Sequence, residues 1–158
     1  MKVAEVMTSD VRSCTPETNL AAAAMEMWNC DCGALPVVDD GGKVLGMITD
    51  RDICIAAATK HQDIAMIKVG EVTTAEVQSC APEMNVRQAL KIFEQARVRR
   101  LPVVDEDNKL QGILSISDIV LQTTEGRDKK TNDISYADIA NTFKAICAPH
   151  TKSAAAGA

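Results

Sequence analysis

Apolar positions recur along this chain at two alternating spacings. Leu20, Ala23, Ala24 and Met27 return every three or four residues, the period of one helix face, and Val86, Ala89, Leu90 and Phe93 repeat that pattern. Asn19 and Asn85 stand directly ahead of the two runs, where an amide oxygen caps the first free N–H groups of a helix. Short apolar runs follow, Leu35 to Val38 and Leu101 to Val104, then Val44 to Ile48 and Leu110 to Leu114, and these predict strands. Asp39-Asp40-Gly41-Gly42 and Asp105-Glu106-Asp107-Asn108 separate the members of each pair. Such residues form turns, so each pair is expected to close as a hairpin, with Asp39 and Asp105 as turn formers. An extended stretch ending at Pro16 or Pro82 precedes each helix, and a second helix is expected to begin at Thr49 or Ser115. The predicted unit is β-α-β-β-α, twice.

The two units are copies. Val3 to Ile53 matches Val69 to Ile119 without a gap at the displacement of 66 residues that separates Gly46 from Gly112. Val11-Arg12-Ser13-Cys14-Thr15-Pro16-Glu17 meets Val77-Gln78-Ser79-Cys80-Ala81-Pro82-Glu83, and Leu35-Pro36-Val37-Val38-Asp39 meets Leu101-Pro102-Val103-Val104-Asp105. On the order of 20 of roughly 50 aligned positions are identical, which is internal duplication. A unit of about 50 residues is too small to bury its own sheet, so the copies should pack on each other as an α/β fold of the mixed α+β kind. The expected organisation is repeat 1 over 1–58, a polar connection over 59–66, repeat 2 over 67–124, and a remainder over 125–158. That remainder holds a charged loop from Glu125 to Lys130 and a helix from Asp133 to Cys147 with Ile139, Thr142, Phe143 and Ile146 on one stripe. The stripe should lie on the module or on a dimer mate, and the tail from Ser153 should be disordered.

Composition narrows the function classes. The chain carries a net charge of −5 with its 17 Lys and Arg scattered, whereas a nucleic-acid surface needs a basic face. No apolar run approaches the roughly 20 residues of a membrane span, and Met1-Lys2-Val3-Ala4-Glu5 does not begin a signal peptide, so a cytoplasmic protein is expected. The six cysteines include no Cys-x-x-Cys pair and stand apart from His61 and His150; reduced, mostly buried thiols are expected, with no metal site. Cys30 and Cys32 are too close in sequence to pair without strain. Met25, Met27 and Trp28 are expected in the core or in a dimer interface.

The candidate chemistry lies in Gly46-Met47-Ile48-Thr49-Asp50-Arg51-Asp52-Ile53 and its copy Gly112-Ile113-Leu114-Ser115-Ile116-Ser117-Asp118-Ile119. Thr49 or Ser115 occupies an N-cap, and Asp52 or Asp118 follows three residues later, the signature of a capping box. A helix N-terminus also attracts anions, so the same hydroxyl and carboxylate could face a phosphate and a ribose diol. Both readings stand at this point. Neither motif holds a histidine or a nucleophile beside a base, so no catalytic residue and no enzyme activity are expected.

A tandem β-α-β-β-α repeat with Leu-Pro-Val-Val-Asp in its middle and Gly-φ-φ-Thr/Ser-x-x-Asp near its end closely resembles the CBS (cystathionine β-synthase) domain pair, or Bateman module, over residues 3 to about 122. The resemblance implies a pseudo-twofold pair with two clefts between the copies, each suited to an adenine nucleotide (AMP, ADP or ATP) or to S-adenosylmethionine or NAD. It implies that the motif Asp takes the ribose hydroxyls, that Thr or Ser sits near ribose and phosphate, and that adenine lies on the opposite copy. One cleft would join Met47, Thr49 and Asp52 to Thr74, Val77, Val98, Arg99 and Arg100. The other would join Ile113, Ser115 and Asp118 to Thr8, Val11, Cys32, Gly33 and Ala34. Arg99 and Arg100 give the Asp52 cleft fixed positive charge where the other has Gly33 and Ala34, so the Asp52 cleft is expected to prefer the phosphorylated ligand. The function implied is a non-catalytic regulatory module, a homodimer in a flat four-repeat disc, that modulates an unidentified effector protein. The alternative is a ligand-free dimerisation scaffold.

Overall fold

The computed structural model describes residues 1–73, 76–123 and 134–149. Its elements run α1 (Leu20–Asn29), β1 (Ala34–Val38), β2 (Val44–Thr49), α2 (Asp50–Thr59), α3 (Val86–Ala96), β3 (Arg100–Val104), β4 (Leu110–Ser115), α4 (Ile116–Val120) and α5 (Tyr136–Cys147), with short 3-10 turns at Val3–Glu5 and Val69–Glu71. Both asparagine caps form, Asn19 Oδ1 accepting from Ala22 N at 2.8 Å and Asn85 Oδ1 from Arg87 N at 2.9 Å. β1 and β2 close as one antiparallel hairpin, β3 and β4 as another. Asp39 Oδ1 accepts from Gly41 N and Lys43 N at 2.9 and 2.8 Å, and Asp105 Oδ1 from Asp107 N and Lys109 N at 3.0 and 2.9 Å. The turns end on Gly42 and Asn108, matched positions with φ of 80° and 63°, a left-handed conformation that Gly and Asn tolerate best.

The leading strand of each predicted unit is reduced to one parallel bridge, Cys14 to Val37 and Cys80 to Val103. The cause lies in the partner strand. Cys14 N donates to Pro36 O and Val38 N donates to Cys14 O, at 3.0 and 2.8 Å. The next rung toward Arg12 needs a donor at residue 36, and proline has none. Pro102 ends the second ladder in the same way.

The copies exchange their leading segments. Val3 is fully buried in the core built on Phe93, Leu101, Leu114 and Ile119, which is the second repeat's. Ile67 and Val69 are fully buried among Leu20, Leu35 and Ile48, in the first repeat's core. Backbone bonds fix both crossings: Val3 N to Met84 O and Ala4 N to Pro82 O, both 2.9 Å, and Val69 N to Thr18 O and Gly70 N to Pro16 O, at 2.8 and 3.0 Å. The exposed pairs Lys2–Glu83 and Lys68–Glu17 repeat the relation at the surface, where such pairs add little stability. A third contact joins the hairpin tips, with Val44 N donating to Asn108 O and Leu110 N to Gly42 O, both 3.0 Å, over Val38, Val44 and Val104.

α5 lies on α3 and α4, as its apolar stripe required. Ile134, Ile139 and Ile146 enter the second repeat's core, Thr142 Oγ1 donates to Glu94 Oε1 at 2.6 Å, and Arg87 Nη1 pairs with Asp138 Oδ2 at 3.3 Å. Phe143 departs from the expected stripe and is 36% exposed, because the buried line runs through residues 139, 142 and 146 and leaves 143 on the helix's outer edge. The charged loop at 125–130 and the tail from 153 lie outside the described residues. The polar connection carries one anchor, Ile64, which is partly buried against the first core.

Two outcomes follow from this packing. Val3→Ala should lower the free energy of unfolding by about 2 kcal/mol, whereas Val120→Ala at an exposed site should stay within about 0.5 kcal/mol, in urea titrations followed by circular dichroism. Burial pushes the Cys14 and Cys80 thiols up to about 11 from an ordinary 9. The folded state then holds protons that the unfolded chain releases, so stability present below pH 9 should fall as pH rises toward 11, and Cys14→Ala with Cys80→Ala should flatten that decline in alkaline melting curves.

Candidate functional site

The two motif helices begin identically. Thr49 N and Thr49 Oγ1 donate to Asp52 Oδ2 at 2.9 and 2.7 Å, and Asp52 N donates back to Thr49 Oγ1 at 3.2 Å. Ser115 N and Ser115 Oγ donate to Asp118 Oδ2 at 2.7 and 2.8 Å, and Asp118 N returns a bond to Ser115 Oγ at 3.2 Å. The capping-box reading therefore holds at both motifs. In each box the carboxylate spends one oxygen on the cap, and Oδ1 of Asp52 and Asp118 accepts no bond from the described residues. A carboxylate oxygen so held is an acceptor oriented for hydroxyl donors such as a ribose diol. The hydroxyls are constrained differently: each donates to its carboxylate, so toward a ligand each can act only as an acceptor. A phosphate, itself an acceptor, must find its donors elsewhere.

The Asp118 motif opens onto a cavity of about 450 Å³, within the size range of small-molecule sites. Ser115, Asp118 and Ile113 form one wall; Thr8 and Val11, from the first repeat's leading segment, face them; Cys32 and Ala34 close the end. Seven of the eight residues expected in this cleft thus meet around one space. Two bonds hold the facing walls together, Thr8 N to Ile113 O and Ile113 N to Thr8 O, both 2.9 Å. Gly112 permits that approach, since a Cβ there would lie 2.7 Å from Thr8 O. The eighth residue, Gly33, lines an adjoining cavity of about 490 Å³ between α1 and the start of α2, together with Trp28, Asp50 and Ile53; a Cβ on Gly33 would meet Asp50 Oδ2 at 3.0 Å.

The charge distribution differs from the sequence expectation. Arg100, assigned to the Asp52 cleft, lines the Asp118 cavity, because it opens β3 directly across from Ser115 in the hairpin register. Its guanidinium makes no hydrogen bond or ion pair among the described residues. Arg12 lines the same cavity at its rim, with Nε 3.6 Å from Glu26. Asp10, Asp31, Ser117, Cys30 and Leu35 complete the lining and were not expected there. The readable signal for Asp10 and Arg12 was their position beside Thr8 and Val11; Arg100 carried no sequence signal toward this side.

The Asp52 set is distributed over several surfaces. Met47, Thr49 and Asp52 are half-buried at the end of β2 and the start of α2, and Arg99 is exposed with its carbonyl accepting from Ile116 N at 3.1 Å. Val77 packs on the hairpin tips. Val98 lines a groove of about 430 Å³ with Glu76, Gln78 and Ala96, the counterparts at a displacement of 66 residues of Cys32, Asp10, Arg12 and Cys30 in the Asp118 cavity. Thr74 lies outside the described residues.

The remaining chemistry is quiet. All six thiols are free, but against the expectation of mostly buried ones only Cys14 and Cys80 are buried, while Cys32 is half-buried and Cys30, Cys54 and Cys147 are exposed; partial desolvation and the Glu26 carboxylate raise the pKa of Cys30, which opposes thiolate formation. No group of three or more His, Cys, Asp or Glu is placed to hold a metal among the described residues, and no described helix is long and apolar enough to cross a membrane. Gly112→Ala should drive the Thr8 segment off Ile113, costing about 1–3 kcal/mol of stability and opening the cleft, which thermal melting and hydrogen exchange at Thr8 and Ile113 will register.

Comparison with known proteins finds the same tandem repeat. The model of the CBS domain matches residues 3–58 and again 69–122. The CBS domain-containing protein YhcV of Bacillus subtilis is 33% identical over 139 residues, covering 87% of this chain and 97% of that protein. Hypoxic Response Protein I of Mycobacterium tuberculosis, whose crystal structure holds two coordinated zinc ions, superposes with a TM-score of 0.70 at 30% identity, over 77% of this chain and 98% of that one. CBSX2 of Arabidopsis thaliana in complex with AMP superposes with a TM-score of 0.67 at 27% identity, over 76% of this chain and 93% of that one.

Proposed function

The chain belongs to the CBS-domain family, with one domain in each repeat, and on that premise we propose that it is a non-catalytic regulatory module whose Asp118 cleft binds a phosphorylated adenosine, AMP first among them. The observation that carries this reading is the meeting, around one cavity, of a capped carboxylate, an apolar wall and a guanidinium, where neither Oδ1 of that carboxylate nor the guanidinium has a partner among the described residues. Asp118 Oδ1 receives the ribose hydroxyls. Ile113, Val11, Ala34 and Leu35 offer the apolar surface for adenine. Arg100 supplies the donors that the committed Ser115 hydroxyl lacks, and a guanidinium suits phosphate by charge and by its forked geometry. The AMP complex of CBSX2 supports the ligand class.

Binding would act on the bonds between Thr8 and Ile113, which tie the two repeats at the cleft itself. A ligand that bridges Asp118 and the Thr8 segment favours one arrangement of the repeats, and the shift available to an effector protein is limited to the ligand's differential affinity for the arrangements. We read the module as a homodimer of the cytoplasm, where its free thiols stay reduced. The Asp52 cleft remains a second proposed site, with Met47, Thr49, Asp52, Thr74, Val77, Val98 and Arg99 as its contributors; ATP, ADP, NAD and S-adenosylmethionine are the further ligands to be compared.

Isothermal titration with AMP, adenosine, ATP, NAD and S-adenosylmethionine tests the reading. AMP is expected to bind at micromolar strength. Asp118→Asn, which keeps an acceptor for the cap, should weaken it by about tenfold, or about 1.4 kcal/mol. Arg100→Ala should weaken AMP and leave adenosine nearly unchanged. Absence of heat with every ligand, and of any rise in melting temperature, would overturn the sensor reading in favour of a scaffold.

A further inference from the structure

AMP, ADP and ATP share their adenosine, so walls that meet ribose and adenine cannot tell them apart. A choice among them has to come from space and charge beyond Arg100. The structure provides the space: Asp31, Cys32 and Arg100 line both the Asp118 cavity and the adjoining cavity of about 490 Å³, and so form the boundary between the two. The adjoining cavity offers no second cation. Its remaining ionic residue is Asp50, and the rest of its lining is neutral. Trp28 on its apolar side, and Met25 on the same helix, are 83% and 60% exposed and so lie outside this chain's core.

We propose that Asp31 sets the phosphate count of the ligand: its carboxylate, with Asp50 behind it, repels a second and third phosphate, so the Asp118 cleft accepts a nucleoside monophosphate and turns away the di- and triphosphate. The proposal rests on the reading of that cleft above and names the residue that selects within its ligand class. Three observations carry it. Asp31 is exposed and makes no hydrogen bond or ion pair among the described residues, so no partner neutralises its charge. The cavity is nearly balanced without a ligand: Asp10, Asp31 and Asp118 face Arg12 and Arg100, and Arg12 is shared with Glu26. Arg100 is thus left to match one phosphate with its forked donors, and each further phosphate finds carboxylates and no cation. The third observation comes from the duplication. Asp31 is matched at the displacement of 66 residues by Arg97, and both hold a left-handed conformation after their helix, with φ of 48° and 54°. That conformation favours glycine and asparagine and tolerates aspartate, which accounts for a short side chain and not for a negative charge.

The selection is by charge and not by size. Repulsion at an exposed carboxylate is screened by salt, so the preference for AMP over ATP should narrow as ionic strength rises, whereas a preference set by the fit of the adenosine half would not. A metal-holding role for Asp31 predicts the opposite sign. A carboxylate that gripped a triphosphate through a divalent cation would favour ATP once magnesium is present, and that preference would vanish with the carboxylate.

Isothermal titration of the wild-type protein with adenosine, AMP, ADP and ATP, at low and at high salt and without and with magnesium, tests the assignment. At low salt AMP is expected to bind at least about tenfold more tightly than ATP, with ADP between. Asp31→Asn, which keeps the side-chain size and suits the left-handed backbone, should narrow that ratio by at least about fivefold and leave adenosine within about twofold. Asp31→Arg, which installs the residue that the other repeat carries at Arg97, should bring ATP to the strength of AMP or beyond. Adding Asp118→Asn to Asp31→Arg should remove the gain, which ties it to this cleft and not to the Asp52 motif. Equal binding of ATP and AMP by the wild type, a ratio unmoved by Asp31→Asn, a matching loss of adenosine in that variant, or a magnesium-dependent preference for ATP would each overturn the inference while AMP binding keeps the sensor reading. A wild type that binds none of the four removes both.

Discussion

Neither repeat closes its own core. The residue that seals the cluster around Phe93 is Val3, from the opposite end of the chain, and the residues that seal the cluster around Leu20 and Leu35 are Ile67 and Val69. A duplicated unit of this size cannot bury both faces of a two-stranded hairpin, and the exchange of leading segments supplies the missing apolar surface. Because each segment crosses to the other copy before its own helix begins, the two repeats cannot separate without opening both cores. The proposed ligand cleft depends on this crossing. Thr8 and Val11 reach the Asp118 wall only because Val3 is anchored in the second core, five residues upstream.

At the cleft, one set of atoms performs a structural and a proposed chemical task without conflict. The carboxylate of Asp118 gives one oxygen to the helix cap, while the other accepts no bond from the described residues, and the cap fixes the second oxygen's direction. The serine hydroxyl is fully engaged as a donor. For the proposed phosphate, the donor left on this wall is the guanidinium of Arg100, which the hairpin register sets across from Ser115.

The duplication has diverged most on its outer faces. In repeat 2, α5 covers Arg87 and Glu94 of α3, and side-chain bonds to Asp138 and Thr142 satisfy the polar groups that burial would otherwise penalise. Repeat 1 carries Ala21, Met25 and Trp28 at the positions matching Arg87, Lys91 and Glu94. Two copies of one fold thus present different surfaces to the outside while sharing the bonds that hold them together.

Much of this was legible in the amino-acid sequence. The helical runs at Leu20 and Val86, their asparagine caps, the hairpin turns at Asp39 and Asp105 and the capping boxes at Thr49 and Ser115 are local features, set by side-chain period and by hydrogen bonds spanning at most four residues. The 66-residue displacement supplied the pairing of copies, and seven of the residues that the CBS resemblance groups with Asp118 line one cavity. What the sequence could not decide was long-range. Pro36 stopping the parallel ladder depends on which backbone faces its missing N–H. The direction of Arg100 depends on strand register, and the fate of Trp28 depends on where α5 comes to rest. These outcomes follow from the relative placement of segments tens of residues apart, which side-chain period does not encode and only the packed structure settles.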